Sequence, residues 1–160
     1  MKTCCFTGHR VIPAADRADI EKQTARAVNQ LIADGVDTFV SGGAIGFDLL
    51  AAQVVLRAKT VYPAVRLNMV LPCRDQDARW SAADRAAYAA ILARADEVVY
   101  TADTYHRGCM HVRNRAMVDR SDACICYLTA ATGGTAYTVN RAREKGIPVF
   151  NVARTTKTPI

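Results

Sequence analysis

The chain has 160 residues, a net charge of +6, and a composition that is 51% hydrophobic and 22% charged. That is enough for one domain with its own core and too apolar for a disordered chain. No stretch approaches the roughly 18–20 apolar residues of a membrane span, and Met1-Lys2 leads straight into a strand pattern with no signal-like apolar segment, so a water-soluble, cytoplasmic protein is expected.

Short apolar runs alternate with helical patterns along the whole chain. Strands are expected over Thr3–Thr7, Thr38–Ser41, Arg66–Leu71, Glu97–Thr101, Ala123–Leu128 and Pro148–Val152. The first helix, expected over Ala15–Asp34, places Ile20, Ala27, Leu31 and Ile32 on one face before Gly35 stops it. Further helices are expected over Ile45–Lys59, Trp80–Arg94, Val112–Arg120 and Gly134–Lys145, the last ended by Gly146 and Pro148. Such alternation predicts an α/β fold: one three-layer α/β/α, Rossmann-like domain with a mainly parallel sheet over residues 1–153, followed by a polar tail over 154–160. In these sheets ligands bind outside the carboxyl ends of the strands, where the strand order reverses.

The basic excess, 21 Lys and Arg against 15 Asp and Glu, contains no consecutive basic run. It suits phosphorylated ligands or weak nucleic-acid affinity, and equally a solvated basic surface. Of the six cysteines, Cys4, Cys5, Cys124 and Cys126 lie in strand-like runs, which points to reduced, packed thiols. His106, Cys109 and His111 sit close together but match no metal-ligand spacing, so neither a metal nor a resident cofactor is expected.

Three expected strands end in glycine-containing turns: Thr7-Gly8-His9-Arg10, Ser41-Gly42-Gly43-Ala44-Ile45-Gly46-Phe47-Asp48 and Thr132-Gly133-Gly134-Thr135. The second and third lead directly into helices, whose first N–H groups are unpaired and carry partial positive charge. Glycines there let an anion approach the backbone, so two such loops on one crevice make a nucleotide-sized site. The pattern G-x-G-x-x-G is absent, which disfavours a standard NAD-dependent dehydrogenase. Asp48 reads either as a carboxylate matched to its helix dipole or as an acceptor for a ribose hydroxyl. His9 and Arg10 could offer hydrogen bonds or charge to a ligand, and Arg113, beside Asn114, a bidentate fork for phosphate. Trp80 could stack on a base or fill a helix–sheet contact.

Taken in order, CCFTGHR (4–10), SGGAIGFD (41–48), LPCRDQDARW (71–80), RNRAMVDRSD (113–122) and TGGTAYTV (132–139) resemble the SLOG superfamily, and within it the YpsA-like branch. The likeness runs from Cys4 to about Asn151. It implies a Rossmann-like fold, a nucleotide or nucleotide-derived ligand of the ADP-ribose type, and self-association; for this branch it implies no established reaction. The superfamily also contains the LOG hydrolases, which release a base from nucleoside 5'-monophosphates, and DprA, whose single-stranded DNA binding offers a further alternative. Met110-His111-Val112-Arg113 matches the first part of the LOG signature, making Arg113 the family's functional arginine if any catalysis exists. The second part departs, with Thr132, Ala136, Tyr137 and Asn140 at signature positions. Asn140 replaces a glutamate and cannot serve as a carboxylate base, so LOG-type hydrolysis is doubtful.

Overall fold

A computed structural model describes residues 2–153; the expected tail over 154–160 lies outside the described residues. Six strands, β1 (Lys2–Gly8), β2 (Val36–Ser41), β3 (Arg66–Leu71), β4 (Glu97–Tyr100), β5 (Ala123–Tyr127) and β6 (Val149–Asn151), form one sheet in the order β4-β3-β2-β1-β5-β6. Every neighbouring pair is parallel. The connecting helices are α1 (Arg17–Ala33), α2 (Phe47–Lys59), α3 (Ala82–Arg94), α4 (Cys109–Asp119) and α5 (Gly134–Lys145).

The two-residue period of the strands divides their side chains between two cores. Cys4 and Phe6, Phe39, Leu67, Met69 and Leu71, and Ile125 point to the larger one, packed with residues of α1, α2 and α3. Cys5, Val40, Val70, Cys124 and Cys126 point to the smaller one, under α4 and α5. All six cysteines are free and buried, behaving as small apolar side chains.

Four helices begin elsewhere than the sequence suggests. A 3-10 turn over Ala14–Asp16 follows Pro13, so α1 starts at Arg17. Its buried stripe is Ile20, Thr24, Val28 and Leu31, with Ala27 and Ile32 only flanking it. Thr24 is tolerated there because its hydroxyl donates to the Ile20 carbonyl at 2.7 Å. The left-handed φ of Gly46 (+84°) delays α2 to Phe47. Ser81, whose Oγ accepts from the Asp84 N–H at 3.1 Å, caps α3 and leaves Trp80 outside the helix. Gly108, at φ +87°, starts α4 three residues early, which puts Cys109, Met110 and His111 in its first turn.

The strand order reverses beside β1: β2, β3 and β4 are added on one side, and the chain then returns to place β5 and β6 on the other. This makes the carboxyl ends of β1 and β5 the switch point at which α/β sheets open a crevice. Lys145 of α5 braces the segment between α4 and β5, its Nζ donating to the carbonyls of Val118, Asp119 and Ser121 at 3.0, 2.8 and 2.8 Å. Replacing Lys145 with Met removes three charge-assisted bonds to helix-end carbonyls. The variant is expected to lose about 1–3 kcal/mol of stability in urea denaturation.

Candidate functional site

A cleft of 330 Å³ opens at this switch point. One wall comes from the end of β1 and its loop (Thr7, Gly8, His9, Arg10), another from Ala44 and Asp48 at the start of α2. The remaining sides are the first turns of α4 (Met110, His111, Arg113, Asn114) and of α5 (Gly134, Thr135). A larger groove of 820 Å³ lies between α1 and β6. Its lining among the described residues, drawn from α1 and residues 150–153, contains no glycine and no pair of facing helix starts, so the chemistry concentrates in the smaller cleft.

The glycines do unequal work. A Cβ on Gly8 would meet the Phe47 ring at 2.5 Å, and one on Gly42 would run into the Arg113 guanidinium. Gly46, already at positive φ, would collide with the backbone of Arg10. Gly43 faces Leu71, Tyr88 and Met69, not the cleft. Each of these four glycines is required by close internal packing, and Gly8 lines the cleft as well. Gly134 is different, since nothing lies within 4 Å of its absent Cβ and its φ is ordinary. It sits at the first residue of α5, which no side chain caps; Gly133 before it, at φ +105°, turns the chain in open space.

Arg113 is 3% exposed, and its donors are turned inward. Nη1 donates to the Gly42 carbonyl at 2.5 Å, Nε to Asn114 Oδ1 at 2.7 Å, and Nη2 approaches Met110 Sδ at 3.8 Å. The fork expected for a phosphate thus clamps α4 to the β2–α2 loop while Arg113 remains part of the cleft wall. Ser41 completes this loop from within, donating to the Asp48 carbonyl and accepting from the Gly43 N–H. His9 is also engaged: its Nε2 accepts from the Thr129 N–H at 2.9 Å, and its ring packs edge-on to Tyr127. Accepting through Nε2 requires the neutral ring, in keeping with the partial burial that lowers its pKa. Arg10 is exposed at the mouth.

Asp48 is 5% exposed. Its Oδ2 accepts from the Ala44 N–H at 3.3 Å, while Oδ1 has no partner. Burial pushes its pKa up to about 6, against the opposing pull of Arg113, the Ala44 N–H and Arg10. The carboxyl group is thus poised to change charge near neutrality. Thr7, Ala44, Met110 and His111 join the wall without having been singled out by their residue types. For Met110 and His111 the signal was their place in the Met-His-x-Arg stretch. Among the described residues, no cluster of three or more His, Cys, Asp or Glu could hold a metal ion, and no helix is long and apolar enough to cross a membrane.

The sequence pattern of the YspA SLOG family matches residues 14–148. The chain belongs to this family. Among relatives of this YspA SLOG chain, a UPF0398 protein of Halalkalibacterium halodurans is 30% identical over 129 residues, covering 79% of this chain and 68% of the relative. DNA processing protein A from Streptococcus pneumoniae superposes on the YspA SLOG fold with a TM-score of 0.71 at 19% identity, covering 97% of this chain and 51% of that protein. The Helicobacter pylori protein of the same name, described for its single-stranded DNA binding mode, gives 0.70 at 18% identity, covering 98% of this chain and 67% of its own. This chain spans about half the length of the S. pneumoniae protein, and at such identities the likeness shows the shared Rossmann-like fold.

Two outcomes follow from the site. Gly42→Ala, which would displace the Arg113 guanidinium, is expected to lose about 1–3 kcal/mol in urea denaturation, whereas Gly134→Ala should change stability by less than about 0.5 kcal/mol. A carboxyl whose folded pKa is raised binds its proton more tightly when folded, so it costs stability as pH rises from its unfolded value of 3.8 through about 6. The stability of Asp48→Asn relative to wild type should therefore grow by about 2–3 kcal/mol between pH 4 and 7 and then level off. Taking that difference cancels the lowered His9, which acts in the opposite sense. A flat difference would mean that Asp48 titrates normally.

Proposed function

We propose that the cleft binds the ribose-phosphate portion of a nucleotide or nucleotide-derived molecule, such as an ADP-ribose-type compound, in a binding or sensing role. The observation that carries this reading is Gly134. Neither backbone conformation nor packing asks for a glycine there, yet its absent side chain leaves the uncapped N-terminus of α5 open to the cleft. An oxyanion fits that terminus, and Arg10 at the mouth adds an exposed positive charge. Across the cleft, the unpartnered Oδ1 of Asp48 suits a ribose hydroxyl, which donates where a phosphate oxygen cannot.

The LOG-type alternative, hydrolysis of a nucleoside 5'-monophosphate, draws support from a cleft carboxyl with a pKa of about 6. Against it, Asn140 is exposed and does not line the cleft. Chromatography of AMP incubated with the protein decides the point, and released adenine would establish turnover. Single-stranded DNA binding in the manner of the H. pylori protein draws on fold likeness and the +6 charge, and predicts affinity that falls steeply with salt.

Calorimetric titration with AMP and ADP-ribose tests the primary reading. Gly134→Glu puts a carboxylate where the anion would lie, yet suits the helix dipole, so the variant should fold and lose at least about tenfold in affinity. Arg10→Ala should weaken binding severalfold. Undiminished affinity in both variants would falsify the assignment.

A further inference from the structure

We propose that a recess beside the cleft holds the ligand's base, and that this base is a purine bearing an exocyclic amine; the inference rests on the ribose-phosphate reading of the cleft. The recess has a volume of 450 Å³ and is lined by Cys73, Gln76, Arg79, Trp80, Tyr105 and Met110 among others. Met110 lines the cleft as well, so the two spaces adjoin at one side chain. Their walls are also linked: the Gly42 carbonyl accepts from Arg113, which lines the cleft, and, at 3.4 Å, from Nε2 of Gln76, which lines the recess.

The lining has the two properties that recognise a base. It is aromatic: Trp80 is braced edge-to-face on Tyr88, ring centroids 5.0 Å apart, and Tyr105 stands at the rim 63% exposed. An exposed ring beside a recess offers a stacking surface that the fold itself does not use. It also holds an unmet acceptor. Both donor interactions of Gln76 Nε2 are made within the protein, to the Gly42 carbonyl and, at 3.2 Å, to the Tyr88 hydroxyl. This fixes the amide orientation and leaves Oε1 buried without a partner. An orphaned amide oxygen calls for an N–H donor, and the 6-amino group of adenine supplies one on a planar ring.

Trp80 is the chain's single tryptophan, so its emission reports the recess directly. The wild-type protein is titrated with ribose 5-phosphate, AMP and purine riboside 5'-monophosphate, which lacks the amine, by calorimetry and by Trp80 fluorescence. AMP is expected to bind at least about tenfold more tightly than ribose 5-phosphate, because stacking is added. Purine riboside 5'-monophosphate should bind about fivefold more weakly than AMP, and only the two base-carrying ligands should change the emission. Tyr105→Ala, a substitution at an exposed site, should reduce the preference for AMP over ribose 5-phosphate severalfold and leave the latter's affinity unchanged. Equal affinities for AMP and ribose 5-phosphate with steady emission would overturn the base site and leave the cleft reading intact. Equal affinities for AMP and purine riboside 5'-monophosphate would overturn the role of Gln76. Binding of none of the three overturns both readings.

Discussion

The contact between the Arg113 guanidinium and the Gly42 carbonyl organises the carboxyl end of the sheet. A buried cation is tolerable only where its hydrogen bonds are met and a counter-charge lies near. Gly42 of the β2–α2 loop, Asn114 of α4 itself and the neighbouring Asp48 at the start of α2 supply these. The absence of a side chain at residue 42 is the condition for this arrangement, since the guanidinium fills that very space. Through it α4 is seated over the sheet end, and the positions of Met110 and Asn114 on the cleft wall follow.

The same economy governs the first turn. Gly8 admits the Phe47 ring, Phe47 packs edge-on to Phe6 and against Tyr127, and its N–H is held by the His9 carbonyl. The His9 ring in turn secures Thr129 after β5. The loops after β1, β2 and β5 are thus tied to one another before any ligand arrives. A site built this way is preorganised, and a bound molecule would have little chain ordering to offset. Among the described residues, the groups left unsatisfied there include the uncapped start of α5, a carboxylate oxygen and an amide oxygen.

Much of this was legible in the sequence. The alternation of short apolar runs with helical patterns gave the architecture, because strands buried on both faces read as nearly continuous apolar runs. The crevice at the strand ends followed from the general rule for such sheets. The individual roles of the glycines were not legible: Gly42 and Gly134 are chemically identical, and only the presence of Arg113, 71 residues away, separates packing from openness. The inward hydrogen bonds of Arg113 were not legible for a related reason, since an arginine near a helix start suggests solvent or phosphate, and its intramolecular acceptors are set by tertiary structure. The early start of α4 turned on the left-handed conformation of Gly108, which a loop glycine permits but does not require.

The strand order also bears on how the protein emerges from the ribosome. β1 is central, and its partner on one side, β5, lies more than a hundred residues later. At roughly 10–15 residues per second, about 10 s of translation separates the two strands. During that interval β1 can pair with β2 alone, leaving its other backbone edge and the side chain of Cys5, which packs toward α5, without their final neighbours. The nascent chain therefore carries an open, apolar parallel edge until β5 has been made.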